Sequence, residues 1–264
     1  MTSPDGATPI REAATAMLLR RAPLEVFMLR RNPDAVWVGG AHLFPGGALD
    51  PEDRDPRVAA RCVGLDDVTA SRALGHRHGG LGYWVAAIRE AFEEAGVLFA
   101  RHADGRPLDP TDAVWARLTE HRDARNAGRV GFLDILEAED LLLTPDALAV
   151  TSHWITPPGQ ARRYDTWFFV AAAPEGHTYE HDDGENTEST WVRPAEAIAA
   201  HDRGEIALIL PTRRSLELLD RFAAARDALD AVAGGRRGPD GRAAIRREPG
   251  GGERVALAGE EVDA

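Results

Sequence analysis

The amino-acid sequence predicts an α/β fold, because short apolar runs typical of strands alternate along the chain with segments of helical periodicity. The chain has 264 residues, which suits one large domain or two small ones, and 44% of them are apolar, which is enough for a sizeable core. We find no internal repeat and interpret residues 11–233 as a single domain. Residues 1–10 are polar and contain Pro and Gly, which predicts a flexible N-terminus.

The first predicted elements are strands. Two apolar runs, residues 13–19 and 24–29, flank an Arg-Arg-Ala-Pro turn and predict a β-hairpin or two adjacent strands. A glycine-rich segment follows over residues 39–47, and residues 50–80 are polar, which predicts an exposed loop or cap outside the core. Over residues 83–99 the apolar side chains recur at helical spacing, which predicts an amphipathic helix.

The second half of the chain continues this alternation. Two further helices and three strands are predicted, at residues 110–127, 131–139, 149–156, 164–172 and 189–193. Pro194 and Pro211 each stand where a helix can begin with proline, and the second helix is predicted over 212–232. Residues 234–264 have few large apolar groups, which predicts a mostly disordered tail.

Residues 89–97, Arg-Glu-Ala-Phe-Glu-Glu-Ala-Gly-Val, are the most informative stretch of the chain. Positions i, i+3 and i+4 share one face of a helix, so Glu90, Glu93 and Glu94 point the same way. Three crowded carboxylates repel one another by roughly 1 kcal/mol or more per pair at partial exposure. Arg89 is the one cation in this stretch. A hard divalent cation relieves the repulsion, because Mg²⁺ and Mn²⁺ prefer oxygen ligands.

Bulk composition argues against several classes of function. The net charge of −12 disfavours a broad surface for nucleic acid or for an anionic membrane, but it allows a small polyphosphate ligand. The single cysteine, Cys62, excludes an intramolecular disulfide and fits a reducing cytoplasm. We see no signal peptide and no apolar run of the ~18–20 residues that a membrane span needs, so we expect a cytoplasmic protein.

The glycines and glutamates together resemble the Nudix box, Gly-x5-Glu-x7-Arg-Glu-U-x-Glu-Glu-x-Gly-U, in which U is a bulky or aliphatic residue. Residues 89–97 match its second half, with Ala91 at the first U position. Gly47, preceded by Phe-Pro-Gly, matches its start, and Asp53 stands where the family normally has Glu. The box spacing places its Arg-Glu pair eight residues after Asp53, at Arg61, but Arg61 is not followed by Glu. The actual Arg-Glu pair, Arg89 and Glu90, lies 28 residues further along the chain.

An insertion inside the box is typical of one branch of the Nudix hydrolase superfamily, the peroxisomal-type coenzyme A diphosphatases and their bacterial relatives. The chain resembles that branch in three blocks, at residues 44–50, at 87–98, and at 154–157 together with 162–169. The resemblance spans roughly residues 13–225 and places the insertion at about 54–82. It implies a Nudix-type α/β/α sandwich with a mixed central sheet and extra C-terminal helices.

The resemblance also implies a hydrolase that cuts the diphosphate bridge of a nucleoside diphosphate derivative, with Mg²⁺ or Mn²⁺ as cofactor. The expected metal ligands are Glu90, Glu93, Glu94 and, either as a fourth ligand or as a group behind the ligands, Asp53. Arg89 is expected to pair with a carboxylate and so orient the ligands. Gly47 and Gly96 are expected where a loop turns or the helix ends.

The sequence offers more than one candidate for the general base and for the residues that bind the substrate phosphates. Two candidates for the general base stay open, Glu94 on the helix and the acidic stretch 182–188, in which Glu188 lies three residues before Trp191. The expected catalytic set is therefore Glu93, Glu94, Arg89 and Glu188. Candidates for substrate phosphate are Arg31, Arg162 and Arg163, because guanidinium groups suit phosphate oxygens; surface arginines at strand ends are the alternative.

Other polar and aromatic side chains have a functional and a plainer interpretation. Three tryptophans could stack on an adenine or pack in the core, and we favour core packing for all of them: Trp37, Trp154 and Trp167. His76 and His78 lie close together in the insertion, and we favour solvated side chains over metal ligands.

The leading hypothesis is a diphosphatase acting on coenzyme A or acyl-coenzyme A. A second hypothesis keeps the chemistry and changes the substrate to ADP-ribose, NADH or a nucleotide sugar. A third is a non-catalytic Nudix-fold ligand sensor, which the three intact glutamates disfavour. The expected partner is thus a small nucleoside diphosphate, with no nucleic acid and no membrane, and the insertion is a candidate contact for a homodimer.

Overall fold

The structure is a computed structural model that describes residues 8–35, 38–109, 113–177, 179–182 and 184–235, together with the backbone of 241–247 and 253–257. A mixed sheet lies between two layers of helices, so the predicted α/β/α sandwich is confirmed. The strands are β1 (Ile10–Arg20), β2 (Glu25–Arg31), β3 (His42–Leu43), β4 (Gly46–Ala48), β5 (Ala100–His102), β6 (Leu141–Leu143), β7 (Ala149–Ile155), β8 (Arg163–Ala172), β9 (Asn186–Val192), β10 (Gly241–Arg247) and β11 (Glu253–Leu257). The helices are α1 (Pro56–Ala60), α2 (Asp67–Leu74), α3 (Leu81–Ala95), α4 (Ala113–Asn126), α5 (Phe132–Ala138), α6 (Pro194–Asp202), α7 (Leu210–Leu219) and α8 (Ala225–Ala233).

The main sheet is built around β1. Its strand order is β11-β10-β7-β8-β1-β2-β3, with β4 paired to β1 and β9 paired to β2. β1 runs parallel to β8 and antiparallel to β2 and β4. Successive side chains of a strand point to opposite faces, so Ala14, Ala16 and Leu18 enter one core cluster and Met17 and Leu19 enter the other. Burial on both faces explains why this strand is a nearly continuous apolar run.

The helices divide between the two faces of the sheet. α1 to α5 contribute to the core cluster around α3, whereas α6, α7 and α8 contribute to the cluster on the opposite face. α3 is buried along almost its whole length and ends at Gly96, which adopts a left-handed φ of 65° that glycine tolerates. In the part of the chain that the structure describes, we find no helix long and apolar enough to cross a membrane.

The insertion is not an exposed loop, which corrects the expectation drawn from its polarity. It forms α1 and α2, and Val58, Ala70 and Leu74 are buried in the core cluster around α3. Its polar residues serve partly as helix caps; the Asp66 carboxylate, for example, accepts a hydrogen bond from the Thr69 N–H at the start of α2. A mainly polar composition therefore concealed a few apolar residues at helical spacing.

The single helix predicted over residues 212–232 is broken into α7 and α8. The connecting backbone turns toward the β1–β2 turn, where the Ala223 carbonyl accepts from the Leu24 N–H at 2.9 Å and the Arg21 carbonyl accepts from the Ala225 N–H at 3.0 Å. These hydrogen bonds to a distant part of the chain replace the helical ones. Local sequence carries no signal for them, because no proline or glycine marks the break.

The segment 234–264, for which the sequence predicts mostly disorder, contains two strands. β10 and β11 pair with each other, and β10 extends the main sheet through two parallel register pairs with β7, Gly241 with Trp154 and Arg242 with Ile155. The difference has a physical reason, since backbone pairing at a sheet edge needs few large apolar side chains.

Candidate active site

Helix α3 carries the three glutamates to the strand β4, which holds Gly46 and Gly47. The Gly46 N–H donates to Glu94 Oε2 over 2.8 Å. Glu90 lies so close to Gly47 that a Cβ there would come within 2.4 Å of Glu90 Oε1. A residue without a side chain is therefore needed at Gly47 for the strand and the helix to approach.

Arg89 lies among these carboxylates and is itself buried. Its Nη1 donates to Glu90 Oε1 at 2.8 Å and to Glu93 Oε2 at 3.2 Å, and its Nη2 donates to the Ala48 carbonyl at 2.9 Å. Burial disfavours the charge of Arg89, but the carboxylates of Glu90, Asp53 and Glu93 outweigh burial and raise the pKa of Arg89 above its usual range. The guanidinium therefore stays charged and orients two of the glutamates.

Asp53 lies behind Arg89 and away from the open side of the cluster. Its Oδ1 accepts from Arg89 Nε at 2.9 Å, and its Oδ2 accepts from Arg89 Nη2 at 3.0 Å and from the Asp50 N–H at 2.7 Å. The side chain is fully buried, which raises the pKa of Asp53, although Arg89 opposes that rise. Both oxygens thus point at Arg89 and the turn backbone on the buried side, an arrangement that fits the alternative of a group behind the ligands better than that of a fourth metal ligand.

Helix α4, to which sequence analysis gave no role, holds α3 at Glu93. Arg125 Nε donates to Glu93 Oε1 at 2.7 Å, while Arg122 Nε and Asn126 Nδ2 donate to the Glu93 carbonyl at 2.9 and 3.1 Å. Arg125 also donates to Asp50 Oδ2 at 3.1 Å. The i, i+3 and i+4 spacing of these three side chains shows that they share one face, but nothing in that spacing shows which element the face meets.

Burial makes the charge of the glutamates unfavourable. It raises the pKa of Glu90 to about 7, against the lowering effect of Arg89 and with added repulsion from Glu93. Burial also raises the pKa of Glu94 well above its usual range, with repulsion from Glu90 and Asp182 adding to the shift and the nearby backbone N–H opposing it. The protein's own cations thus leave the cluster short of positive charge, and an added cation would favour the ionised carboxylates.

The three glutamates line one end of a cleft of about 970 Å³. That volume lies at the upper end of the range for small-molecule sites, so the cleft can hold a ligand larger than a mononucleotide. The cleft is walled partly by apolar side chains, among them Phe44, Trp154, Phe168 and Leu210. Its positively charged lining consists of Arg11, Arg31, Arg125 and Arg162.

Two of the three predicted phosphate-binding arginines lie in this cleft. Arg31 and Arg162 line it, and Arg31 Nη2 lies 3.5 Å from Glu185 Oε2. Arg163 does not line it, because its Nε donates to the Thr156 carbonyl at 3.1 Å and thereby holds β8 against the loop that follows β7. The structure thus does not bring Arg163 together with Arg31 and Arg162 in the cleft.

Glu188 lies outside the cleft. The register of β9 on β2 pairs it with Arg30, whose Nη1 donates to Glu188 Oε1 at 3.0 Å, and 60% of the Glu188 side chain is exposed. Of the two candidates for the base, the structure thus places Glu94 in the cleft and Glu188 outside it. Asp182 and Glu185, from the same acidic stretch, line the cleft instead.

Asn186 is a site residue that sequence analysis missed. It is buried, and its Nδ2 donates to Asp182 Oδ1 at 2.8 Å and lies 3.3 Å from Glu94 Oε1. The amide therefore connects the helix that carries the glutamates with the acidic loop before β9. In the sequence, Asn186 is marked only by its position within the acidic stretch 182–188. That position does not show whether its amide is buried in the site or solvated.

The remaining candidates belong mostly to the core. Trp154 is 3% exposed and Trp167 is 5% exposed, and the ring of His153 stacks on Trp167 with centroids 4.0 Å apart. His76 is half-buried and packs edge-on against Trp167 with centroids 6.1 Å apart, so it is not simply solvated. Two residues considered in the sequence lie outside the described residues: Trp37 and Asp183.

The donor chemistry of the cluster fits a divalent cation. Carboxylate oxygens are the ligands that Mg²⁺ and Mn²⁺ prefer, and their shared burial disfavours the uncompensated charges. Across the described ranges, however, no three His, Cys, Asp or Glu side chains form a ready-made metal site. The reason is visible in the contacts, since Arg89 and Arg125 hold oxygens of Glu90 and Glu93.

Comparison with known proteins assigns the family. The sequence profile of the family described as NUDT19 Nudix domain matches residues 66–218. The chain belongs to this family. Its Nudix domain is thus a member of the branch that the split box resembles. The second half of the box, on α3, lies inside the matched residues, whereas Gly47 and Asp53 precede them.

Two relatives of this Nudix domain share one name. The chain is 30% identical over 260 residues to the Homo sapiens protein named acyl-coenzyme A diphosphatase NUDT19, and the match covers 85% of this chain and 66% of that protein. It is 29% identical over 267 residues to the Gallus gallus protein of the same name, with 82% and 70% covered. A crystal structure of a NUDIX hydrolase from Alicyclobacillus acidocaldarius superposes with a TM-score of 0.65 at 28% identity, covering 84% of this chain and 96% of that one.

Proposed function

We propose that this protein is a divalent-cation-dependent diphosphatase that hydrolyses the diphosphate bridge of coenzyme A or acyl-coenzyme A. The observation that carries the proposal is the meeting of Glu90, Glu93 and Glu94 at one end of a cleft of about 970 Å³. The names of the human and chicken relatives support the same reaction. The expected products are 3′,5′-ADP and phosphopantetheine or its acyl derivative.

The glutamates are the proposed holders of the cation. Glu90, Glu93 and Glu94 would supply carboxylate oxygens to Mg²⁺ or Mn²⁺. A bound divalent cation neutralises charge that develops on the phosphate oxygens during attack. Arg89 orients Glu90 and Glu93, and Asp53 orients Arg89 from the buried side. The geometry of the cluster thus depends on Arg89 and Asp53, although neither is a proposed ligand of the cation or of the substrate.

Glu94 is the first candidate for the general base that takes the proton of the attacking water. Its carboxylate lines the cleft together with those of Glu90 and Glu93, and a general base must lie within hydrogen-bond reach of the water that it deprotonates. The Gly46 N–H and the Asn186 amide hold its two oxygens in place. Glu185, which lines the cleft with its side chain 64% exposed, is the alternative.

Arg31 is the proposed ligand for the diphosphate oxygens. Its Nε is buried and has no hydrogen-bond partner among the described residues, and its Nη2 lies 3.5 Å from Glu185. Unused guanidinium donors at the wall of a cleft suit phosphate oxygens, which accept such bonds in pairs. ADP-ribose, NADH and nucleotide sugars share the diphosphate and are the alternative substrates.

A substrate panel tests the proposal. The protein is incubated with Mg²⁺ or Mn²⁺ and coenzyme A, acyl-coenzyme A, ADP-ribose, NADH or dinucleoside polyphosphates, and the products are resolved by chromatography. We expect coenzyme A or acyl-coenzyme A to be cut. Turnover of ADP-ribose without turnover of coenzyme A would remove the substrate assignment and keep the chemistry.

Variants of the glutamates separate an enzyme from a ligand sensor. Glu93→Gln and Glu94→Gln should each lower kcat by about 10²-fold or more, because charge stabilisation at the reacting phosphate is lost. Glu137→Gln, at an exposed position of α5, is the matched control and should retain wild-type activity. If the wild type turns over no member of the panel and the variants behave identically, the non-catalytic sensor replaces the enzyme.

We also propose that the protein is cytoplasmic and that it forms a homodimer through the insertion. The insertion, all of which the structure describes, offers one large exposed apolar side chain, Val68, which is 67% exposed on α2. Light scattering of the wild type and of Val68→Glu tests the dimer, and equal monomeric masses would exclude it.

A further inference from the structure

Alternate residues of two neighbouring strands line one wall of the cleft. Along β1 these are Arg11, Ala13 and Thr15, which share one face because successive side chains point to opposite sides. The parallel register sets Arg11 beside Tyr164 of β8. Arg162, two residues before Tyr164, lines the cleft on the same side. Two arginines from different strands are thereby brought to the same end of the wall.

These two arginines differ from the others in the cleft. Arg125 is held by the carboxylates of Asp50 and Glu93, and Arg31 lies beside Glu185. The side chains of Arg11 and Arg162, both of them exposed residues, make neither an ion pair nor a hydrogen bond with any residue that the structure describes. A shortage of carboxylates does not explain this, because the chain has 43 acidic against 31 basic residues. Two unneutralised guanidinium groups at one place form a local anion-attracting site in an acidic protein.

The spacing along β1 separates the backbone of Arg11 from the strand position that lies next to Glu90. β4 pairs with β1 so that Gly47, which contacts Glu90, lies opposite Ala14. Arg11 is three residues before Ala14, so its backbone is displaced by roughly 10 Å along the strand. An arginine side chain can bridge part of that distance. The two guanidinium groups are therefore suited to an anion a few bonds away from a diphosphate held at the glutamates.

We infer that Arg11 and Arg162 form a subsite for a phosphomonoester on the nucleoside sugar of the substrate. This inference rests on the proposed function, in which the diphosphate lies at the glutamates. A phosphomonoester is dianionic and accepts paired hydrogen bonds from a guanidinium group, which matches two arginines without carboxylate partners. The subsite favours coenzyme A and its acyl derivatives over ADP-ribose and NADH, whose ribose groups carry no such phosphate.

The direct test compares two substrates that differ only in this phosphate, coenzyme A and 3′-dephospho-coenzyme A. We expect the wild type to favour coenzyme A by about 10²-fold in kcat/KM, chiefly through KM, since each charged hydrogen bond contributes about a factor of ten or more. Arg11→Gln and Arg162→Gln should each reduce that ratio about tenfold, and the double variant should bring it near one. Arg72→Gln, at an exposed position of α2 away from the cleft, is the charge-matched control and should keep the wild-type ratio.

Calorimetric binding of 3′,5′-ADP and of 5′-AMP in the presence of Mg²⁺ gives a second readout that needs no turnover. The wild type should bind 3′,5′-ADP more tightly, and the double variant should lose that preference. Equal kcat/KM for the two substrates together with equal affinity for the two nucleotides would overturn the subsite while leaving the diphosphatase intact. No turnover of either substrate, with tighter 3′,5′-ADP binding that depends on Arg11 and Arg162, would reject the proposed reaction and retain the subsite.

Discussion

Arg89 uses most of its guanidinium group on the site. Its donors reach the carboxylates of Asp53, Glu90 and Glu93 and the Ala48 carbonyl, so one cation orients residues from the turn after β4, from β4 itself and from α3. A planar group with five N–H donors can do this, whereas an ammonium group cannot. Arg89 and Asp53 therefore hold the cluster together, whereas Glu90 and Glu93 are the carboxylates that they position.

The Asp53–Arg89 pair should matter for stability even without metal. Asp53→Asn leaves the buried guanidinium short of a carboxylate, and breaking a buried ion pair on one side costs about 3–5 kcal/mol. We expect the free energy of unfolding, measured with urea in EDTA, to fall by about 3 kcal/mol. Asp104→Asn, in the exposed pair with Arg106, is the control and should change it little. A variant as stable as the wild type would show that Asp53 does not support Arg89 as described.

Gly47 should be required for the position of Glu90. In Gly47→Ala the new Cβ would stand 2.4 Å from Glu90 Oε1, so the carboxylate must move. Because small displacements in a reacting site can reduce rates by about 10²-fold, we expect a loss of that order in kcat. Steady-state kinetics beside a melting curve measure the effect, and unchanged kcat in a folded variant would contradict it.

At the scale of elements, α4 acts as a brace for α3. It contacts Glu93 through both the carboxylate and the backbone carbonyl, and Arg125 joins that contact to Asp50 and Glu52 in the turn after β4. Glu52 in turn accepts the backbone N–H groups of Phe132 and Leu133 at the start of α5. Two helices outside the Nudix box thus determine where the box residues sit.

Arg125→Ala tests this brace. Arg125 is only 15% exposed, and its loss leaves three carboxylates without their shared cation. We expect the free energy of unfolding to fall by about 2–3 kcal/mol, the range for a charged hydrogen bond, and kcat to fall because Glu93 is no longer held. Glu120→Ala, at an exposed position of the same helix, is the control and should change neither quantity much. Similar urea midpoints and rates for all three proteins would exclude the brace.

At the scale of the whole molecule, stability depends on pH through groups far from the cleft. His177 is buried against Trp115, with ring centroids 4.3 Å apart, and burial lowers the pKa of His177 to about 4. A histidine in the unfolded chain titrates near pH 6.5. The unfolded chain therefore binds a proton that the folded protein excludes, so folding is increasingly disfavoured as the pH falls from about 6.5 toward 4.

His177→Phe should remove this part of the pH dependence. From about pH 7.5 to about pH 5, the wild type should lose about 2 kcal/mol more free energy of unfolding than the variant. Urea unfolding of both proteins at the two pH values measures the difference, which isolates His177 from the carboxylates that also titrate. Parallel losses in both proteins would show that His177 is protonated in the folded state.

Much of the fold and part of the site could be predicted from local patterns in the chain. Helix α3, the strands β1, β2, β7 and β8 and the glutamate cluster follow from periodicity and short-range spacing. The helical insertion, the break between α7 and α8 and the pairing of β10 with β7 could not be predicted, because each depends on contacts with distant residues. Glu188 shows the same limit, since its strand register pairs it with Arg30 and so keeps it out of the cleft.

The α/β class and the cluster of Glu90, Glu93 and Glu94 can be deduced from the amino-acid sequence, because they depend on residues a few positions apart. The divided Nudix box follows from the resemblance to a known family. How those residues are used depends on the packed molecule, in which Asp53 supports Arg89, α4 holds Glu93, and Arg11 joins Arg162 on one wall of the cleft. The physical reason is that hydrogen bonds and charges act over a few ångströms in space. Residues separated by tens of positions meet only after the sheet and its two helical layers have packed.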